Sequence, residues 1–161
     1  MLERLCASLH NYFERHPVPH ERMVYPGEYT ITGGSITLPF LLSGQRFRIK
    51  GSALSDGVYT YGATIKDDDG DKAATLADET FDGEIWAMYP PKAALEAAAE
   101  AKTWLSNSQN AAAIASPYTS ESFGGYSYTK GTTNEADGMP SGTWYGVPKS
   151  LLNQWRKVHE E

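Results

Sequence analysis

Three aspartates alternate in a short stretch that contains a glycine, and such a pattern can indicate a calcium site. Asp67, Asp69 and Asp71 surround Gly70, and carboxylate oxygens are ligands that Ca²⁺ prefers. The stretch lacks the glycine at the sixth position and the terminal bidentate Glu of an EF-hand loop. We therefore expect residues 66–71 to form an exposed acidic hairpin tip rather than a metal site.

Three histidines lie close together near the start of the chain, which can also indicate a metal site. Of His10, His16 and His20, only the last two have the i,i+4 spacing of ligands on one helix face. Pro17 and Pro19 lie between them and prevent the helix that would align their rings. The spacing fits no known ligand class, so we expect no structural metal here.

The remaining residues with chemical potential form no catalytic signature. The chain contains no Gly-x-Ser-x-Gly, phosphate-binding loop, dinucleotide fingerprint or His-Glu-x-x-His motif. Cys6 falls on a predicted apolar stripe, where a cysteine behaves as a small inert hydrophobe. Asp78, Asp82 and Glu84 lie in a polar region that does not favour raised pKa values. We predict a protein that is not an enzyme and holds no cofactor.

Aromatic residues are concentrated in a segment that is too poor in aliphatic residues to form its own core. Tyr and Trp bury large apolar areas at little entropic cost, so such segments are common in interfaces. The same rings could instead cap the domain's own helices, and the sequence leaves both possibilities open. The aromatic residues of this segment are Tyr118, Phe123, Tyr126, Tyr128, Trp144 and Tyr145.

The net charge of −6 (14 basic and 20 acidic side chains) is unevenly distributed along the 161 residues. Residues 51–90 hold 2 basic and 9 acidic side chains, so this segment alone carries −7. No run of Lys and Arg occurs, which disfavours tight binding of nucleic acid. No apolar run approaches the length of a membrane span, and we expect no secretory signal.

The elements that must position these residues read as a helical scaffold with a β-rich insert. Leu2, Leu5, Leu9 and Phe13 recur at helical spacing, which predicts a first helix over residues 2–13. Residues 16–27 read as an irregular connector. Short aromatic and β-branched runs separated by Gly and Asp then predict an antiparallel β module over 28–89, including a strand within 35–42.

The second half of the chain returns to helices. Residues 92–105 are rich in alanine and follow Pro91, which predicts a central helix, and 107–116 can add a further turn. Residues 117–147 form an extended Gly/Ser/Tyr-rich segment, and an apolar stripe predicts a last helix over 148–159. We predict a single α+β domain over 1–161, a small scaffold of N-terminal, central and C-terminal helices carrying the inserted module.

One stretch resembles a known family. Ser120-Glu121-Ser122-Phe123-Gly124-Gly125-Tyr126-Ser127-Tyr128-Thr129 is similar to the closing motif of head–tail connector (head-completion adaptor) proteins of tailed bacteriophages and prophages. Members of that family begin with a short helix, carry a central helix and end with a helix after the motif. The predicted helix order here is the same, whereas the β module departs from the mostly helical simple members.

The resemblance implies a structural virion protein that assembles in the bacterial cytoplasm. Many copies would form a ring between the portal and a downstream head-completion or tail protein, with double-stranded DNA passing through without sequence-specific binding. Carboxylates lining the channel would let DNA slide. The resemblance involves no membrane, and the implied partner-interface residues are Ser120, Glu121, Ser122, Phe123, Tyr126, Tyr128, Trp144 and Trp155.

Two other functions are open to the sequence. The β module could bind a carbohydrate or a cell-surface polymer through stacking faces on Tyr29, Tyr59, Tyr61 and Trp86, and a buried Trp86 would weaken this hypothesis. A small hydrolase would need a cleft that holds two of Asp78, Asp82 and Glu84 in unlike environments.

Overall fold

The computed structural model describes residues 1–115, 120–123, 126–129 and 142–157, and this part contains both helices and antiparallel strands. The predicted α+β class is confirmed. The elements in chain order are α1 (Leu2–Leu9), β1 (Val24–Ile31), β2 (Arg46–Lys50), β3 (Gly57–Thr60), β4 (Glu79–Met88), α2 (Lys92–Ser106), α3 (Ser108–Ala115), β5 (Ser120–Phe123), β6 (Tyr126–Thr129), β7 (Thr143–Trp144), β8 (Val147–Pro148) and α4 (Lys149–Leu152), followed by a 3₁₀ turn (Asn153–Trp155).

A four-stranded antiparallel sheet with strand order β1-β4-β2-β3 forms the centre of the fold. Side chains alternate across a strand, so one strand can serve two cores. In β4, Ile85 and Ala87 face one cluster, which we call the sheet core, while Met88 faces the helices. The sheet core also contains Ile31, Ile36, Leu38, Leu41, Phe47, Ile49, Ile65, Leu76 and Phe81.

The second cluster, which we call the helical core, lies between the sheet and the helices. α1 contributes its predicted apolar stripe, and α2 contributes four alanines, whose small side chains allow close approach to neighbouring elements. Val58 and Met88 come from the sheet. The described members are Leu2, Leu5, Cys6, Leu9, Phe13, Val58, Met88, Ala94, Ala97, Ala98, Ala101, Trp144, Val147 and Leu152.

The first and last helices are shorter than predicted. α1 ends at Leu9 because His10 adopts a left-handed conformation (φ 52°) and the amides of His10 and Asn11 close the last turn on carbonyls of α1. Phe13 is nevertheless buried, reached through a turn rather than a helix. The predicted helix over 148–159 is helical only in α4 and tightens into the 3₁₀ turn, which ends before Arg156; residues 158–159 lie outside the described part.

The strands occupy residues 24–88 rather than 28–89, since Val24 to Gly27 of the predicted connector already pair with β4. The strand expected within 35–42 is instead a loop, whose Ile36, Leu38 and Leu41 insert into the sheet core. Within the described residues, no helix combines the length and apolarity needed to cross a membrane.

Candidate functional site

The motif that carries the family resemblance folds into a β-hairpin. β5 and β6 pair antiparallel in a sheet of their own, separate from the four-stranded sheet. Phe123 lies opposite Tyr126 in the register and Glu121 lies opposite Tyr128, while Ser120 and Ser122 lie opposite Thr129 and Ser127. In this register Phe and Glu positions of β5 lie opposite Tyr positions of β6, and Ser positions of β5 lie opposite Thr and Ser positions of β6.

Of the two predicted interface tryptophans, in contrast, Trp144 belongs to the helical core and Trp155 packs against it. Trp144 is only 6% exposed, and its ring meets that of Tyr145 edge to face at 5.0 Å. Trp155 is half-buried, and its ring packs against Phe13 at 6.4 Å. Six of the eight predicted interface residues thus lie in the hairpin, and the other two help to hold the C-terminal segment on the helices.

A tight turn between β7 and β8 packs the C-terminal segment, residues 142–157, against α2. Tyr145 and Gly146 both have positive φ (45° and 84°), as a two-residue type I′ turn requires. A side chain at Gly146 would lie 2.4 Å from Cδ1 of Trp104, so the turn depends on glycine for space as well as for φ. The Trp104 ring thus packs directly on the turn backbone.

A cleft of about 540 Å³ opens between α1 and the C-terminal segment, and we call it the basic cleft. Arg4, Lys149 and Arg156 line it, with no carboxylate among the lining residues. Trp144 and Tyr145 form part of its wall, together with Ala7, Ser8 and Ile114. Within the described part of the chain, Arg4 and Arg156 form no ion pair. The cleft can therefore bind an anionic group.

The loop of residues 66–72, which we call the acidic loop, corrects the prediction of an exposed tip. Asp68 accepts a hydrogen bond from the amide of Glu3 at 2.8 Å and pairs with the Met1 amino group, so it caps the start of α1. Asp69 pairs with Lys102 of α2 at 2.8 Å, and its carbonyl accepts a hydrogen bond from Arg46. The loop is a clamp that joins α1, α2 and β2.

The ionisation of the clamp reflects these contacts. Partial burial of Asp69 favours its neutral form, but hydrogen bonds from Lys102 and the Met1 amino group outweigh this and lower its pKa. The pKa of Lys102 is raised by its hydrogen bonds to Asp69 and Asp71. The carboxylate of Asp69 and the ammonium of Lys102 therefore stay charged at neutral pH and hold each other.

Other carboxylates of the acidic middle segment are also paired with cations from outside it. Asp56 meets Arg48 at 3.7 Å, and Glu84 meets Lys50 at 3.2 Å. Part of the −7 of residues 51–90 is thus balanced by cations in β2 and α2. An exposed pair on the sheet stands apart by its geometry: Glu28 of β1 lies directly opposite Asp82 of β4, and neither forms an ion pair within the described residues.

The surroundings of Trp86 weaken the carbohydrate hypothesis. Its side chain is 9% exposed, and three cations lie over its ring at 5.1 to 5.3 Å from the centroid: Arg22, Arg48 and Lys50. Tyr12 meets its edge at 5.7 Å. The other three proposed stacking residues, Tyr29, Tyr59 and Tyr61, are half-buried and pack against the sheet core.

A neighbouring cleft of about 460 Å³ is lined by His10, Tyr12, Glu14, Arg22, Trp86 and Lys157, together with Ala7. Glu14 is 6% exposed, and its Oε1 accepts a hydrogen bond from Lys157 at 2.6 Å. Burial alone would raise the pKa of Glu14, but Lys157 and Arg22 lower it. This ion pair fastens the C-terminal segment to the connector that follows α1.

The residues considered for hydrolysis are not gathered in a cleft. Asp78 accepts a hydrogen bond from the Gly34 amide, Asp82 is exposed, and hydrogen bonds from Trp86 and Lys50 lower the pKa of Glu84. None of them lines either cleft described above. In the described residues, no three His, Cys, Asp or Glu side chains are grouped to hold a metal.

Cys6 lies in the helical core, as its spacing predicted. Its side chain is fully buried, and burial followed by the charges of Asp68 and Glu3 raises the pKa of the thiol to about 12. A thiol in this state is a poor nucleophile at neutral pH.

Comparison of the chain with protein-family models, with curated proteins and with solved structures found no match. The proposal for the function below is therefore based on the sequence and the structure alone. Sequence reasoning missed the basic cleft because its cations, Arg4, Lys149 and Arg156, lie near opposite ends of the chain and only the fold brings them together. It also missed the Glu28 and Asp82 pair, which becomes visible once the register of β1 and β4 is known.

Proposed function

We propose that this protein is a head–tail connector of a tailed bacteriophage or prophage. It is a structural virion protein without enzymatic activity, and identical copies form a ring between the portal and a downstream head-completion or tail protein. Double-stranded DNA passes through the ring, and the protein assembles in the cytoplasm of the bacterial host.

The observation that supports this proposal best is the hairpin of β5 and β6. The stretch that resembles the connector motif contributes two strands to a sheet of its own, with Phe123 opposite Tyr126 in the register. The two large cores of the described chain are built from other elements. A hairpin rich in Tyr, Phe and Ser, with few aliphatic residues, has the composition of a surface that binds another protein.

The order of the helices also agrees with the proposal. α1 precedes the sheet, α2 is central, and α4 follows the hairpin, as in the connector pattern. The sheet is not a separate appendage, because Val58 and Met88 belong to the helical core.

The acidic loop does not have the role that the resemblance implied for carboxylates, which was to line the DNA channel. Asp68, Asp69 and Asp71 are held by the Met1 amino group and by Lys102, so the acidic loop is not a free carboxylate lining for DNA. The proposal therefore rests on protein contacts rather than on repulsion of DNA by this loop.

The proposal is tested by mixing the protein with the portal protein encoded by the same phage or prophage. Negative-stain microscopy and native mass spectrometry should show a ring of this protein stacked on the portal. A double variant, Phe123→Ser with Tyr126→Ser, should lose at least about tenfold in apparent affinity for the portal, since interface aromatics often contribute about 2 kcal/mol or more.

The matched control is Leu42→Ser, which removes an exposed apolar side chain (75% exposed) far from the hairpin in the sequence. It should bind the portal as the unaltered protein does. A protein that stays monomeric beside an intact portal, or hairpin variants that bind like the control, would contradict the proposal.

A further inference from the structure

Arg4 and Arg156 at the basic cleft and the exposed acidic pair on the sheet have opposite charges, and none of these four side chains forms an ion pair within the described residues. Arg4 lies on α1 and Arg156 follows the 3₁₀ turn; both are exposed at the cleft and form no ion pair within the described residues. Opposite charges of this kind on separate surfaces can recognise each other between molecules.

The acidic pair is placed unfavourably in a single copy. Glu28 and Asp82 are directly opposite in the register of β1 and β4, and like charges in that relation repel. The next pair along the register with an acidic residue, Pro26 with Glu84, differs because Lys50 of β2 reaches Glu84 at 3.2 Å. No cation of the described residues serves Glu28 or Asp82 in the same way.

We propose that Glu28 and Asp82 of one copy dock into the basic cleft of a second copy, next to Arg4 and Arg156. The inference rests on the proposed function only in that the connector ring requires neighbouring copies to touch. The volume of about 540 Å³ can hold several side chains.

The geometry makes this contact heterologous. None of the residues lining the cleft belongs to β1 or β4, so two different surfaces of the chain meet. Contacts of this kind generate a ring when the rotation between copies closes and a filament when it does not. Strand addition at β1 does not explain the contact, because Pro26 and Glu28 on this edge strand are features that oppose edge pairing.

The test is a charge exchange followed by sedimentation velocity up to about 1 mM protein, the range in which weak interfaces become visible. The double variant Arg4→Glu with Arg156→Glu should weaken self-association at least about tenfold, and so should Glu28→Lys with Asp82→Lys. In an equimolar mixture association should return, since the acidic pair of the first variant fits the basic cleft of the second and the new lysines of the second fit the acidic cleft of the first.

The control reversal is Lys72→Glu, an exposed lysine outside both surfaces, which should associate like the unaltered protein. All four positions altered in the double variants are exposed, so these variants should fold as the unaltered protein does. Thermal unfolding checks that each variant is folded. Raising the salt from about 0.05 M to about 0.5 M should weaken association of the unaltered protein.

Three results would overturn the inference: a monomer at every concentration, variants that associate like the control, or an equimolar mixture of the two double variants that does not associate. The portal experiment separates this inference from the proposed function. Charge variants that bind the portal normally and also self-associate normally would remove only the inference, whereas a charge-dependent assembly that ignores the portal would remove only the connector role.

Discussion

The turn at Gly146 allows a sharp test of the packing between the C-terminal segment and α2. Alanine at this position has to adopt a φ of 84°, and its Cβ would lie 2.4 Å from Cδ1 and 2.7 Å from Cγ of Trp104. The left-handed conformation costs an alanine about 1–2 kcal/mol. Overpacking against a ring that belongs to a helix adds about 1–3 kcal/mol. We therefore expect Gly146→Ala to lower the free energy of unfolding by about 2–5 kcal/mol.

Gly142 provides the matched control, since it has a φ of 76° but no atom of the described residues lies within 4 Å of the place that an alanine Cβ would occupy. Gly142→Ala should lose only the conformational part, about 1–2 kcal/mol. Urea unfolding followed by circular dichroism measures both variants, because that signal does not depend on Trp104. Removing the ring should relieve the steric clash. Trp104→Ala should therefore be less destabilising in the Gly146→Ala background than in the unaltered protein, which a double-mutant cycle measures as a favourable coupling energy.

The contact between ring and turn is refuted if Gly146→Ala is no more destabilising than Gly142→Ala. It is also refuted if removal of the Trp104 ring leaves the effect of Gly146→Ala unchanged. Either result would mean that the ring does not rest on the turn as the structure has it.

Two further predictions concern pH. Burial raises the pKa of Cys6 to about 12, so this thiol stabilises the fold fully below the unfolded pKa of about 9 and progressively less as the pH rises. In Cys6→Ala the free energy of unfolding should therefore fall less steeply between about pH 9 and 10.5, by up to ~1.4 kcal/mol per pH unit. Urea unfolding at each pH measures this slope, and equal slopes for the two proteins would count against the prediction. The lowered pKa of Glu14 gives stability above about pH 4.5 that is lost in acid. Lys157→Met should thus cost about 1–3 kcal/mol at pH 7 and less at about pH 3; a cost that does not change with pH would contradict the ion-pair explanation.

Sequence patterns predicted the elements whose structure follows from local periodicity and intrinsic propensity. The alternation in β2, with Phe47 and Ile49 between charged residues, and the alanine-rich α2 are examples, and α2 has nearly the predicted bounds. The predicted burial of Cys6 is confirmed for the same reason, since its neighbours at helical spacing already define the apolar face.

Distant partners decided the features that the sequence did not reveal. Residues 35–42 alternate like a strand, but they pair with no strand; Ile36 and Leu38 instead cover the sheet core from a loop. The acidic loop resembles a solvated tip until Lys102 and the start of α1 are placed beside it. The basic cleft likewise exists only after the two ends of the described chain have come together.

The capping of α1 has a consequence for how this chain folds during synthesis. Of the described elements α1 leaves the ribosome first, yet eight residues are too few for a helix that is stable by itself in water. Its capping carboxylate arrives with Asp68, and its packing partners arrive with α2 and, last of all, with Leu152. The nascent N-terminal segment must therefore remain unstructured, with its leucines exposed, until most of the chain has been made. We expect this interval, rather than the completed fold, to be the stage at which the protein is most exposed to aggregation and to chaperones.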